Sequence, residues 1–279
     1  MTETISSAAN PLVKRMRLLA DRRHRRREGA FVVEGIQPVW RAVEAGWPVE
    51  ALIIAPELIK DSPAAAMINE QQARGTRVAR LSTELFGRLS EREGPSGLAA
   101  IIHGRLPALA ELPVRPASVF TVLHHVANPG NLGTIIRTVD AAGGAGVILI
   151  GDAADPFAPT AVKASMGSLF TVPVAQVPDA ETFFDWAGAH HIEVLATSGH
   201  ATTDHWSITY RRPAAVLFGS EGEGLPGSLL DRAAQRIRIP MTGTAESLNL
   251  AVAVGILSYE IQRPVVDGAV VEVEHDLPA

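Results

Sequence analysis

Cysteine is missing from this chain altogether, which removes a disulfide framework, a thiolate metal site and a cysteine nucleophile together. No apolar run reaches the length of a bilayer span, and no N-terminal apolar segment of signal-peptide type is present. No membrane partner is therefore expected, and the expected location is the cytoplasm. His124, His125, His190, His191, His200 and His205 never fall into an H-E-x-x-H spacing, so no metal is expected. A G-x-S-x-G elbow is absent too, which counts against an α/β hydrolase. What is there, 47% hydrophobic and 20% charged residues over 279 positions, describes an ordinary globular chain, with two domains as the expectation.

Charge is distributed unevenly. The net charge is −5, yet residues 1–105 hold 16 Lys and Arg against 12 Asp and Glu, while the remainder holds 9 against 18. Eight of the basic residues lie between Lys14 and Arg27. Within that run Arg15, Arg22, Arg23, Arg25, Arg26 and Arg27 predict contact with a polyanion; a solvated helix face is the alternative reading of the same run.

The first hundred residues alternate strand and helix. Strand-like segments fall at 30–35, 49–54, 78–81 and 97–102, helices at 37–45 and 63–74, and a helical turn at 83–88. That alternation predicts one small α/β domain over residues 1–105. Pro107, Pro113 and Pro116 then fall in a stretch with no convincing element, which predicts a linker over 106–117. Beyond it, strands are expected at 119–123, 146–150, 172–174, 192–196, 214–218 and 236–241. Residues 128–133 read as a turn, and helices are expected at 134–142, 159–169, 182–190 and from 250 onward. Apolar strands alternating with helices predict an α/β domain over 118–265, its sheet mostly parallel and covered on both faces. An acidic tail fills 266–279.

The passage from Pro213 to Ile261 organises the second domain. The apolar run Ala214-Ala215-Val216-Leu217-Phe218 opens into a loop carrying Gly219, Gly222, Gly224 and Gly227, where backbone can come close to a ligand. A second strand ends at Pro240 and Met241, and Ser247-Leu248-Asn249 leads into a helix that is apolar almost all round. Ser247 is the expected N-cap, and the helix is expected to be buried. Two strand ends and a helix N-terminus make a crevice of the kind open α/β sheets use for ligands. Gly222 to Gly227 is also a literal G-x-G-x-x-G, but Pro226 interrupts where that fingerprint requires helix, which disfavours a dinucleotide oxidoreductase.

Three blocks stand in order: Asn128-Pro129-Gly130-Asn131-Leu132-Gly133-Thr134-Ile135-Ile136-Arg137-Thr138, then Leu217-Phe218-Gly219-Ser220-Glu221-Gly222-Glu223-Gly224-Leu225, then Ile239-Pro240-Met241 with Ser247-Leu248-Asn249-Leu250-Ala251-Val252-Ala253. They resemble the three motifs of the SpoU (TrmH-type) RNA ribose 2′-O-methyltransferases of the SPOUT class. The resemblance is tight over residues 118–262. It is looser in the N-terminal domain, where Phe31-Val32-Val33-Glu34-Gly35 and Gly97-Leu98-Ala99-Ala100 are similar to the family's substrate-binding domain. The segment Ala42-Val43-Glu44-Ala45-Gly46-Trp47-Pro48 looks most like ribosomal-RNA methyltransferases of actinomycetes. His124-His125-Val126 departs from the family, where acidic residues are common before motif one.

The resemblance implies a Rossmann-like sheet with a deep C-terminal trefoil knot, S-adenosylmethionine bound in it, a homodimer through the knot, and a ribosomal-protein-like RNA-binding domain in front. It implies a ribose 2′-hydroxyl of large-subunit ribosomal RNA as acceptor, with transfer RNA, or an RNA-binding protein without activity, as alternatives. Arg137, Asn131, Glu221 and Asn249 are then the catalytic set. Gly219, Ile239 and Leu248 match cofactor positions, with Leu195, Thr197, Ser220, Glu221, Met241 and Ser247 completing that set. Lys163 joins the arginines as an RNA contact. The family reading makes Arg137 the activator of the 2′-hydroxyl; as a guanidinium is a poor general base, electrostatic stabilisation of the alkoxide is the other role open to it.

Overall fold

The computed structural model describes residues 4–59, 62–90, 94–263, 265–266 and 269–270. Pro264 and most of the acidic tail lie outside the described residues. A first sheet is built from β1 (Thr4–Ile5), β2 (Ala30–Glu34), β3 (Val49–Ile54), β4 (Arg77–Leu81) and β5 (Leu98–His103), in the order β1-β4-β3-β5-β2. Around it stand α1 (Pro11–Leu18), α2 (Arg22–Glu28), α3 (Ile36–Glu44), α4 (Ala64–Ala73) and α5 (Thr83–Leu89). β3 and β5 are apolar over most of their length and buried, as a central strand pair covered on both faces must be. β1 escaped the sequence reading because its two residues carry no hydrophobic run; it is held by parallel pairing with β4.

The second sheet contains β6 (Val119–His124), β7 (Gly146–Ile150), β8 (Val174–Val177), β9 (Glu193–Thr197), β10 (Thr203–Asp204), β11 (Ala214–Phe218) and β12 (Gln235–Arg238), in the order β10-β12-β9-β11-β6-β7-β8. Every adjacent pair in it is parallel. Its helices are α6 (Pro129–Ala141), α7 (Pro159–Ser165), α8 (Ala180–Ala189), α9 (Gly227–Arg232) and α10 (Leu250–Gln262). Because all seven strands point the same way, the loops leaving β6, β11 and β12 emerge on one edge, where open parallel sheets bind ligands.

Several element boundaries differ from the sequence reading. α6 begins at Pro129, so Asn131, Leu132 and Gly133 are helical rather than in a turn; Asn128 caps it by accepting from Gly130 and Asn131, and Pro129 sits where a proline starts a helix at no cost. α7 stops at Ser165, followed by Met166 in the left-handed region at φ 50. The stretch at 106–117 is not featureless: Leu109–Glu111 forms a 3-10 turn, Leu109 and Leu112 are buried, and Arg105 forks onto the two oxygens of Glu111 at 2.8 and 2.9 Å.

The sheets share a continuous core. Phe31 and Val33 of β2 lie in one cluster of buried side chains with Leu123, Leu169 and Phe170. Phe31 stacks on Phe157 at 4.5 Å, and Trp47 meets Phe170 edge-on at 5.3 Å while donating its indole N–H to the Phe170 carbonyl at 3.1 Å. Such aromatic packing with every polar tip satisfied resists sliding of one sheet on the other.

Candidate active site

Three loops converge through a chain of hydrogen bonds. Asn249 is the residue before α10; its Oδ1 accepts from the Ala251 and Val252 backbone N–H groups at 2.9 and 3.4 Å, making it the N-cap. With Oδ1 engaged there, its Nδ2 donates to Asn131 Oδ1 at 3.3 Å. Asn131, in the first turn of α6, in turn donates its Nδ2 to Glu221 Oε1. Each amide orientation is fixed by the next, and the chain ends on a carboxylate that sits in the loop after β11. Residues predicted from three separated motifs therefore meet, and they meet at two helix N-termini.

This arrangement corrects the expected cap of α10. Ser247 lies two residues before the cap position and is exposed, and Asn249 does the capping as well as the linking. Both residue types cap well; the register is set by Leu250, which is buried and opens the helix. Burial all round α10 does not hold either. Leu250, Ala251, Val254, Leu257 and Ile261 are buried, but Val252 is 50% and Tyr259 58% exposed.

Gly219 is required by its own loop. A Cβ there would lie 2.0 Å from the Gly224 carbonyl carbon and 2.4 Å from the Leu225 nitrogen. Ser220 and Gly224 exchange backbone hydrogen bonds at 3.2 and 3.0 Å, closing the loop into a tight hairpin. Gly133 is constrained in the same way: a Cβ would lie 2.3 Å from the Ala161 carbonyl oxygen, so α6 and α7 approach backbone to backbone there.

The remaining expected cofactor residues divide by exposure. Leu195 is buried in the sheet, and Thr197 at the end of β9 donates its hydroxyl to the Leu217 carbonyl at 3.0 Å. Residues 241–249 are exposed without a break, and within them Met241 and Leu248 leave apolar side chains 38% and 36% uncovered, beside half-buried Ile239. Arg137 is exposed on α6, six residues beyond Asn131. At the end of β6, burial and then the neighbouring His125 lower the pKa of His124; His125 itself sits at φ 55. Among the described residues no cluster of three or more His, Asp or Glu side chains is placed to hold a metal ion.

The sequence matches the SpoU rRNA Methylase family over residues 118–259 and the MRM3-like substrate binding domain over 10–100. It belongs to the SpoU rRNA methylase family. A 23S rRNA (uridine(2479)-2′-O)-methyltransferase of Streptomyces viridochromogenes is 33% identical over 90% of this chain and 88% of its own. A 23S rRNA (guanosine(2553)-2′-O)-methyltransferase of Bacillus subtilis is 30% identical over 92% and 98%. Among solved structures, an AdoMet-bound rRNA methyltransferase from Sinorhizobium meliloti superposes with a TM-score of 0.85 at 35% identity, covering 94% of this chain and 98% of that one.

The basic run of this SpoU protein does not present one uniform face. Arg25 is buried: its Nε and Nη2 donate to Asp155 Oδ2 at 2.9 and 2.7 Å, and its Nη1 to the Leu19 and Ala20 carbonyls at 2.9 and 2.6 Å. Arg22 donates to the Ala153 carbonyl at 3.0 Å, and Arg15 pairs with Glu50 and Glu28 at 2.8 and 3.3 Å. Arg25 is thus no phosphate ligand, and Arg22 is committed to the second sheet. Arg23, Arg26 and Arg27 remain on the surface, as does Lys163 on α7. The missed signal lay 130 residues away: Asp155 is the partner that α2 needs, and no local pattern announces it.

Proposed function

We propose that this protein transfers a methyl group from S-adenosylmethionine to a ribose 2′-hydroxyl of large-subunit ribosomal RNA. The observation that carries the reading is the Glu221–Asn131–Asn249 chain, which joins one side chain from each of three motif loops at the carboxyl edge of a parallel sheet. The named relatives act on 23S rRNA, and one solved neighbour holds AdoMet.

The residues present fit that cofactor. Ile239, Met241 and Leu248 offer uncovered apolar surface next to exposed backbone, which is what an adenine ring and its polar edge need, and Gly219 keeps its loop tight. When bound, S-adenosylmethionine supplies an electrophilic methyl group. The chain's own residues do the rest. Asn131 and Asn249 hold the Glu221 carboxylate in one orientation, so the motif loops present a fixed floor to the ribose. Arg137 stabilises the negative charge that develops on the 2′-oxygen as its proton passes to solvent water, since a guanidinium stays charged and cannot act as a base near neutral pH.

The same reading extends to architecture. After β12, at the far side of β9, the chain returns to pack α10 on α6 and β6; that return supports a threaded, knotted C-terminal segment, which would break the usual no-threading rule. Exposed Val252 and Tyr259, with half-buried Ile256 between them on α10, support a homodimer through the knotted domain. Residues 1–105 form the RNA-binding domain, 106–117 the linker and 118–265 the methyltransferase domain in this reading, and the cytoplasm is where such RNA is met. Incubating the protein with methyl-labelled S-adenosylmethionine and total bacterial RNA, then mapping 2′-O-methylated positions, tests it. Label at a 23S rRNA ribose is the expected result; label in transfer RNA alone, or none in any RNA, would overturn it.

A further inference from the structure

Between the two sheets lies a cavity of about 210 Å³ lined by no residue of the three motifs in 118–262. One wall comes from the N-terminal sheet: Met16, Arg17 and Ala20 around α1, Val32 and Glu34 of β2, and Arg88 and Leu89 of α5. Its other wall is α7, through Pro159, Val162 and Lys163. Floor and rim differ in chemistry. Met16, Val32, Leu89, Pro159 and Val162 supply apolar surface, while Arg17, Arg88 and Lys163 bring cationic groups and Glu34 a carboxylate that accepts from Ser90 at 2.5 Å. Arg17 forms no ion pair among the described residues, and Arg88 is held only by the exposed Glu84 one turn away. Among the described residues, Arg17 and Arg88 thus leave guanidinium donors beside an apolar floor, which does not suit a neutral metabolite or a peptide carboxylate alone. They suit a planar ring with an anionic group attached.

We infer that this cavity receives one unpaired nucleotide of the RNA, its base against the Met16–Val32–Val162 floor and its phosphate against Arg17 and Arg88. The volume lies below the roughly 300–1,000 Å³ of sites for drug-sized ligands, which suits a single ring system. Arginine recognises phosphate oxygens with a forked set of donors and also lies flat against bases, and Glu34 faces the N–H donors of a base edge. The position is connected to the chemistry. α7 has the cavity on one side and α6 on the other, where Gly133 abuts Ala161; an α-helix with its side chains is about 10 Å across. A strand whose ribose lies at Asn131 and Glu221 therefore needs only to pass over α7 to place a neighbouring base in the cavity. The inference rests on the RNA-methyltransferase reading, and explains why the two sheets are locked together: the cavity exists only while both walls stay in register.

Two substitutions test it. Ala20→Phe fills the cavity from an exposed rim position, and Arg17→Glu reverses the charge of the phosphate contact without touching the core. With in vitro transcribed 23S rRNA containing 4-thiouridine as the probe, photocrosslinks in the parent should map to peptides carrying Arg17 or Lys163 and fade in both variants. The KM for that RNA should rise on the order of tenfold, and Arg17→Glu should also flatten the salt dependence by about 0.7 or more in log–log slope. Calorimetric affinity for S-adenosylmethionine should not change, since its loops lie elsewhere. If the parent methylates the RNA but neither KM nor crosslinks respond in Arg17→Glu, the cavity is not an RNA subsite. Loss of the crosslinks to competing free mononucleotides would also overturn it, in favour of a free nucleotide. Absence of methylation by the parent would instead overturn the function proposed above.

Discussion

Arg25 and Asp155 form a buried ion pair across the two sheets, with the Arg25 Nε and Nη2 donors on Asp155 Oδ2 and Asp155 Oδ1 accepting the Phe157 N–H at 2.9 Å. Their side chains are only 6% and 11% exposed. Breaking such a pair from one side strands a charge, which typically costs about 3–5 kcal/mol. Arg25→Met should therefore lower unfolding stability by about that much, as read by urea denaturation, and Asp155→Asn should do likewise. A change under about 1 kcal/mol in both would mean that the pair behaves as a surface contact.

The exposed arginines predict something different. Replacing Arg23, Arg26 and Arg27 together with alanine leaves the core untouched, because all three are on the surface. RNA affinity should weaken and its salt dependence flatten by up to about 0.7 per lost single-strand phosphate contact. Filter binding at several salt concentrations reads both. An unaltered slope would make this part of the run a solvated helix face.

That contrast shows where sequence reading stops. Runs such as residues 51–54 and Ala214–Phe218 are legible because continuous apolarity suits a strand buried on both faces. The three motifs carried Asn131, Glu221 and Asn249 as a set, and the hydrogen bonds bring that set together. The alignment of Arg25 with Asp155 is not legible, since all the arginines of the run look alike until the second sheet chooses one. The start of α6 was ambiguous for a chemical reason: Asn-Pro-Gly-Asn serves equally as a turn and as a cap followed by a first-turn proline. β10 is two polar residues paired with β12, with Arg238 also donating to Asp204 at 2.6 Å, and no pattern in the sequence marks it.

Arg137 is exposed on α6; in the role proposed for it, alanine should reduce single-turnover methyl transfer by on the order of a hundredfold or more, because one preorganised charge at a developing anion contributes about 2.7–4 kcal/mol. Cofactor affinity should hold. A rate near that of the parent protein removes Arg137 from the mechanism.

Tyr210 supplies a pH dependence. It donates its hydroxyl to the His205 carbonyl at 2.5 Å, and burial, aided by the Glu260 carboxylate, pushes its pKa up from 10.0 to about 12. The fold thus favours the neutral phenol. Its contribution to stability is whole below pH 10.0 and disappears as pH rises through about 12. Stability measured across that window should fall in the parent and fall less in Tyr210→Phe; parallel curves would show that Tyr210 titrates alike in the folded and unfolded chains.

Asn249 performs two tasks that two substitutions can separate. Its Oδ1 caps α10 and its Nδ2 donates to Asn131. Asn249→Ala loses both, and should cost about 1 kcal/mol of stability, the usual value of a lost cap, together with methyl transfer. Asn249→Asp keeps the cap, because a carboxylate accepts the same N–H groups and suits the positive end of the helix. It cannot donate, however, so the Asn131 amide faces a carboxylate on either side. Whichever way that amide turns, its oxygen opposes one of them: Asp at 249 if it keeps its present orientation, or Glu221 if it flips. The expected result is a protein as stable as the parent in urea with turnover reduced tenfold or more, about 1.4 kcal/mol in the barrier. If Asn249→Asp is both stable and fully active, the chain from α10 to Glu221 is only a cap with an incidental neighbour, and the loops are held in place by packing alone.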